Sequence, residues 1–320
     1  MNPFLLHRFL WMIPVLFAIS LITFTLMHLT PGGPWDGDDV QRKNFPPAVV
    51  ANLNHKFNLD LPLWEQYVRY IADTLRGDLG PSYQYIDQSV SDLLFAPPTN
   101  RPIWESRFLR SALLGLLALG IAICVGIPLG VIAALKHNTW LDYGLLLLAT
   151  FGTALPSFVM AVFALFVFGL WLRWLPIITN WNDPKSWALP ALVLSFGLMA
   201  FLARLTRAMM LETLGQDYLR TARAKGLHER TIVIRHALRN SLIPVATVLG
   251  PAFAGLITGS FFIETMFSFP GMGRFFVQSV NARDYSMIMG TTLLYAVLIS
   301  LSNLSVDIIY GRLDPRIGAE

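Results

Sequence analysis

Residues 216–240 read QDYLRTARAKGLHERTIVIRHALRN and stand between two runs, 187–203 and 242–263, that contain no Asp, Glu, Lys or Arg. Arg204, Arg207, Arg220, Arg223, Lys225, Arg230, Arg235 and Arg239 all fall between those runs. Basic charge concentrated between long uncharged stretches is the pattern of a chain that crosses a bilayer, turns and returns. A span needs about 17–25 apolar residues. Lipid offers no partner for backbone N–H and C=O groups, so runs of this kind cross as helices.

Working outward, four more uncharged runs appear, at 9–29, 111–135, 143–172 and 286–306. The chain is 54% hydrophobic and only 14% charged, against about 25% charged for a soluble domain. The expected fold is therefore an all-α integral membrane protein with six transmembrane helices. The 143–172 run is long enough to tilt strongly or to break at Pro156. The first run exceeds the ~7–15 residues of a signal-peptide core and is followed by His28-Leu29-Thr30-Pro31, which has no small-x-small cleavage site, so it reads as an anchor.

Short flanks set orientation through their basic residues. With the N-terminus inside, the cytoplasmic flanks hold Arg8, Lys136, the eight residues above, Arg312 and Arg316, whereas Arg173, Lys185, Arg274 and Arg283 fall outside. Both termini are placed in the cytoplasm. The net charge of +4 forms no aromatic-interleaved surface, so nucleic acid is not an expected partner. Cys124 lies within the second run and, as the single cysteine, can form no intrachain disulfide.

The division expected is 1–110, the first span with an external cap, and 111–320, a five-helix core with the cytoplasmic loop at about 204–241. Within the cap, apolar spacing at Val50, Leu53 and Phe57, then Trp64, Tyr67 and Ile71, predicts two short helices over 47–75. Prolines and glycines recur inside the spans, as they do generally in membrane helices. The two halves show no internal repeat.

Positive-inside charge, or attraction to anionic lipid, is the plain reading of the basic loop. Three features go beyond it. Asp217 can cap a helix over about 218–225, with cations toward its C-terminal end and Gly226 as its stop. Ala222, Ala224 and Gly226 strip bulk from that helix, and Tyr218 and Ala222 share a face. No large apolar face suited to lipid is present. A rigid docking element attached to the following span is the physical reading.

These residues resemble a family. Tyr218-Leu219-Arg220-Thr221-Ala222-Arg223-Ala224-Lys225-Gly226-Leu227, with Arg235-His236-Ala237-Leu238-Arg239-Asn240, is similar to the cytoplasmic loop of ABC importer permeases, specifically the B-type subunit of oligopeptide and dipeptide permeases. The wider superfamily begins this loop with Glu-Ala-Ala and carries a proline near its end. Here Thr221 and Arg239 stand in those places, a departure associated with B-type peptide permeases. Leu29-Thr30-Pro31-Gly32-Gly33-Pro34 resembles the family's turn after the first span. Glu264-Thr265-Met266-Phe267, Pro270-Gly271-Met272-Gly273 and Arg283-Asp284-Tyr285 resemble its last outer loop, and Leu313-Asp314-Pro315-Arg316 its C-terminal signature. Gly77-Asp78-Leu79-Gly80-Pro81-Ser82, followed by Tyr85-Ile86-Asp87-Gln88-Ser89-Val90, resembles the oligopeptide branch.

The resemblance implies a type I importer permease fold, N-in and C-in, in a bacterial inner membrane. It implies a second permease subunit, two cytoplasmic ATPases and an extracytoplasmic peptide-binding receptor as partners, besides membrane lipid. Tyr218, Thr221, Ala222, Ala224, Gly226, His236 and Arg239 would couple to the ATPases. Glu264, Pro270, Gly271, Gly273, Arg283 and Asp284 would form an outer gate or receptor contact, or else a structural turn. Asp142 and Asp307, at the ends of spans, can reach the cytoplasmic interface.

No phosphate loop, metal-ligand spacing or nucleophile elbow is present, so neither catalysis nor a cofactor is expected. A secondary transporter or channel for small polar solutes is the alternative. It would need an intramembrane charge relay or filter, and the uncharged runs provide none.

Overall fold

A computed structural model of the chain describes residues 3–35, 45–85, 87–99 and 101–313. The Leu313-Asp314-Pro315-Arg316 signature, apart from the backbone of Leu313, and the Asp307 side chain lie outside what is described. The described residues form helices, joined by turns and one isolated bridge between Pro81 and Ser89.

Five helical stretches among them are long and apolar enough to cross a membrane. They are α1 (Pro3–Leu29), α5 (Arg107–Leu135), α8 (Lys185–Leu214), the stretch Glu229–Met266, and α14 (Tyr285–Leu313). The sixth expected span is broken. α6 (Trp140–Ala154) and α7 (Ser157–Ala164) meet at a bend of 109°, and α7 runs on as a π-helical segment, Leu165–Trp171. Pro156 has no N–H to continue the α6 ladder and holds Leu155 extended at φ −83°, ψ 129°.

Two compact units emerge. The first comprises Met1–Ser111 with Pro270–Ser300. Here the expected cap helices are α2 (Pro47–Lys56) and α3 (Leu63–Leu75), each started by a proline, Pro46 or Pro62, at the cap position. They are followed by α4 (Val90–Phe95). Its core joins Leu93 and Leu94 of α4 to Met272, to Phe275 of α13 (Arg274–Asn281) and to Met287. Segment Pro270–Ser300 completes the apolar core that α4 is too short to bury alone.

The second unit comprises Ala112–Phe269 with Leu301–Glu320. In it α8 packs against α6, α7 and α11 (Leu238–Ile257), while α12 (Phe261–Met266) packs on α7 and α8. Close approach of α5 to α8 requires glycine: a Cβ on Gly126 would lie 2.6 Å from the Met199 carbonyl oxygen, and one on Gly130 2.5 Å from that of Ala203. Their four-residue spacing is the small-xxx-small arrangement that lets membrane helices meet backbone to backbone. Gly130→Val is expected to destabilise the chain by about 1–3 kcal/mol through overpacking. Gly120→Ala, where an added Cβ meets nothing within 4 Å, should leave it unchanged. Thermal unfolding in detergent compares the two.

Candidate functional site: the basic loop and the outer turns

The basic loop is shorter than the uncharged runs suggested, because α8 continues past Ala203 to Leu214. Arg204 and Arg207 are therefore helical residues of the second unit. Arg204 donates to the Thr153 hydroxyl at 3.3 Å. Arg207 grips Asp142 with both Nε and Nη2, the latter at 2.7 Å. Asp142 is fully buried and also accepts the Asn138 N–H at 3.0 Å, with His137 Nδ1 at 3.3 Å. This carboxylate belongs to a clamp between α6 and α8.

The predicted short helix is α9 (Asp217–Ala224). Asp217 opens its first turn, with Gln216 at the cap position and no capping side chain. Asp217 instead faces the helix dipole as an anion and lies 3.5 Å from Arg220. The stop at Gly226 has φ +75°. Gly226 N–H bonds to the Arg223 carbonyl at 2.9 Å and Leu227 N–H to that of Ala222 at 3.3 Å. That pair of bonds is the Schellman motif, whose left-handed residue favours glycine. A Cβ added to Gly226 would meet nothing within 4 Å, so conformation and not closeness explains this glycine.

One side of α9 is spent on the chain itself. Leu219 and Ala222 are buried against Met210, Ile232, Val233 and Ala237, with Ala134 in the same cluster. The Tyr218 hydroxyl donates to the His236 carbonyl at 3.4 Å and accepts from the Asn240 amide at 2.8 Å. Across the turn, Arg223 meets Glu229 at 2.9 and 3.2 Å. After α10 (Glu229–Thr231), a π-helical segment, Ile232–Ala237, carries half-buried His236 and runs without a break into α11. Thr221, Ala224, Lys225, Leu227 and Arg239 remain exposed.

The structure thus gathers Tyr218, Thr221, Ala222, Ala224, Gly226 and His236 on one platform, with Arg239 at the start of α11. It also separates them. Ala222 turns inward, and Thr221 and Ala224 turn outward. A two-residue step along a helix is a rotation of about 200°, so the spacing sets Ala222 and Ala224 on opposite faces, and packing against Met210, Ile232 and Ala237 decides which face turns inward.

The outer residues divide between the units. Glu264, in the second, is buried on α12, and its carbonyl accepts the Phe269 N–H at 2.7 Å. Pro270, Gly271 and Gly273 belong to the first unit, where Met272 N–H bonds to the Ser111 hydroxyl at 2.8 Å. Arg283 lies over the turn after α1: its Nη1 donates to the Gly33 carbonyl at 3.3 Å, and a Cβ on Gly32 would collide with it at 2.1 Å. Asp284 is buried, accepts from Ser82 Oγ and from the Gln84 N–H at 3.2 Å, and caps α14 through the Met287 N–H at 3.1 Å. Two sequence motifs far apart, at 31–34 and 283–285, are physically one joint. Asp284→Ala should therefore destabilise the chain by about 1–3 kcal/mol, because it orphans buried donors and removes a helix cap. A melting curve unchanged from wild type would show that the joint carries no such weight.

Against known proteins, residues 126–319 match the family described as binding-protein-dependent transport system inner membrane component, and residues 1–88 match that family's N-terminal region. The dipeptide transport system permease protein DppB of Bacillus subtilis is 43% identical over 317 residues, covering 99% of this chain and 98% of the relative. The oligopeptide transport system permease protein OppB of Escherichia coli K12 is 43% identical over 319 residues, covering 99% of both. That of Haemophilus influenzae is 40% identical with the same coverage. The chain belongs to the binding-protein-dependent transport system inner membrane components, multi-pass proteins of the bacterial inner membrane.

Proposed function

We propose that this chain is one half of the transmembrane pathway of an ATP-driven peptide importer, with N- and C-termini in the cytoplasm. The oligopeptide and dipeptide transport for which the relatives are named supports the substrate class. The stretch at 77–90 favours the oligopeptide branch. The chain hydrolyses no ATP itself. A second permease subunit, two cytoplasmic ATPases and an extracytoplasmic receptor complete the machine, and lipid surrounds it.

The observation that carries this reading is α9, anchored by Leu219, Ala222 and Tyr218 to the chain's own core while Thr221 and Ala224 leave a low, cation-flanked face exposed. Such a helix transmits a push to α11 because neither end is free to swing. ATP binding must favour one bundle state over the other, and this contact carries the difference. Arg239 extends the exposed face, and His236 positions Tyr218. Arg283, Asp284 and the Pro270–Gly273 turn brace the external surface for receptor contact, with Glu264 as an internal support of α12. The secondary-transporter alternative gains nothing from Asp142, whose carboxylate oxygens are both held by Arg207.

Expressing the tagged chain with its neighbouring genes, extracting it gently and identifying co-purifying proteins by mass spectrometry tests the proposal. A second multi-span subunit with two ATPases is expected. Transport by the chain alone in liposomes, without ATP, would overturn it.

A further inference from the structure

Arg101, Arg107 and Arg110 crowd the start of α5 within the first unit. Cations gain nothing there from the helix, whose N-terminal macrodipole favours negative charge. Glu105 answers two of them, Arg110 at 2.8 Å and Arg101 at 3.6 Å. Arg107 has no carboxylate partner among the described residues. Its Nη1 donates to the Leu93 carbonyl at 2.8 Å, and its guanidinium carbon stands 5.4 Å from the centre of the buried Phe275 ring. Arg274 of α13 stands 5.3 Å from the same centre and also lacks a carboxylate partner among the described residues. Of the acids on α4 and before α14, Asp92 is exposed and makes no ion pair among those residues, and Asp284 is held by Ser82.

Each cation is attracted to the ring, yet two guanidinium groups around one ring repel each other. An anion beside both relieves that repulsion. Each guanidinium offers five N–H donors in a planar fork that matches phosphate oxygens. Among the described residues only one donor of Arg107 is engaged, and both side chains are half-buried. The Arg274 Nε is sealed from the surface without a partner, so its terminal nitrogens are the ones that can reach a ligand.

The surroundings are oily as well as positive. In the single turn Ile103–Glu105 that leads into α5, Ile103 is 65% and Trp104 58% exposed. Phe95, at the end of α4, stays exposed with its ring 5.4 Å from that of Phe108. A tryptophan left open at the end of a span suits the headgroup level of a bilayer. A soluble anion would make no use of this apolar shoulder, whereas a phospholipid uses both parts. An ethanolamine headgroup would bring its own ammonium against the two arginines, so a headgroup of net negative charge fits better.

We propose that Arg107 and Arg274 hold the phosphate of an anionic phospholipid, with Ile103 and Trp104 beside its glycerol and upper acyl segments. The site rests on the membrane fold and not on the importer reading.

Native mass spectrometry of the full-length chain in detergent, titrated with phosphatidylglycerol, phosphatidylethanolamine and diacylglycerol, tests it. Phosphatidylglycerol should bind at least tenfold more tightly than diacylglycerol, which lacks the phosphate, and more tightly than phosphatidylethanolamine. Arg274→Gln should weaken phosphatidylglycerol binding by roughly tenfold, the loss of one charge-assisted contact, and Arg274→Lys should retain most of it. If Arg274→Gln does not fold, Arg107→Gln carries the same expectation. Lys225→Gln removes an exposed cation of the basic loop and should change nothing, which separates this site from general attraction to anionic lipid. Equal binding of diacylglycerol or of phosphatidylethanolamine, unaltered affinity in the arginine variants, or an equal loss in Lys225→Gln overturns the site. Displacement of the lipid by millimolar inorganic phosphate overturns the lipid source and assigns a soluble anion.

Discussion

Arg207→Met will cost the chain about 3–5 kcal/mol, because it leaves Asp142 charged, buried and without its cation. The apparent melting temperature in detergent should fall by on the order of 10 °C, and yield from the membrane should fall with it. The loss comes from the orphaned charge more than from the bond. Adding Asp142→Leu to Arg207→Met should therefore recover most of it, since a buried ion pair replaced by apolar residues of similar volume is often nearly neutral. A double variant as unstable as the single one would mean that Arg207 acts through packing of its stem and not through the clamp. The contact between α6 and α8 carries this pair at one end and the close approach of Gly152 to Ala200 further along, where an added Cβ would stand 2.5 Å away. Loosening it should also free the 109° bend that follows α6.

Ala224→Trp will abolish coupling while leaving the protein folded. Ala224 is exposed on α9, so an indole there obstructs a docking partner without touching the chain's own core. In the assembled transporter, peptide-stimulated ATP hydrolysis should drop at least tenfold, about 1.4 kcal/mol or more of lost coupling. Ala222→Trp should behave in the opposite way. Its side chain would have to enter the cluster of Leu219, Met210, Ile232 and Ala237, overpacking it by about 1–3 kcal/mol and lowering yield before any effect on coupling can be read. Gly226→Ala should do less than either, because its cost is the local strain of a left-handed φ, about 1–2 kcal/mol at the helix stop. The comparison separates a face that docks from a face that supports. Full coupling in Ala224→Trp would remove the docking face from the proposed mechanism.

Much of this was legible in the chain before any coordinates. Uncharged runs located the spans because hydrocarbon solubility is a sum over neighbouring residues and needs no knowledge of distant ones. Pro156 offered a break as one of two readings of the third run, strong tilt being the other, since a missing N–H is a local defect. Gly226 marked the helix stop for the same kind of reason. The cap helices at 47–75 followed from apolar spacing. Criteria based on charge erred where charge is internally neutralised. Cutting the fourth span at Ala203 assigned Arg204 and Arg207 to the loop, although no helix breaker intervenes before Gly215.

The remainder depended on pairs that sequence order does not reveal. Asp142 finds Arg207, Asp284 finds Ser82, and Arg283 finds the turn at Gly32 and Gly33. A cavity in the first unit likewise draws its walls from α1, α2, α3, the turn at 80–83 and α14. The sequence by itself determined that the chain is a helical membrane protein, where it crosses and which loop carries its basic charge, because hydropathy, charge and proline act over a few residues. Only the tertiary structure decided that Ala222 supports while Ala224 is presented, that Arg207 clamps, and that Pro270–Ser300 closes the N-terminal unit. Those outcomes depend on which remote surfaces exclude lipid and water from one another, and periodicity along one strand of sequence does not name its partner.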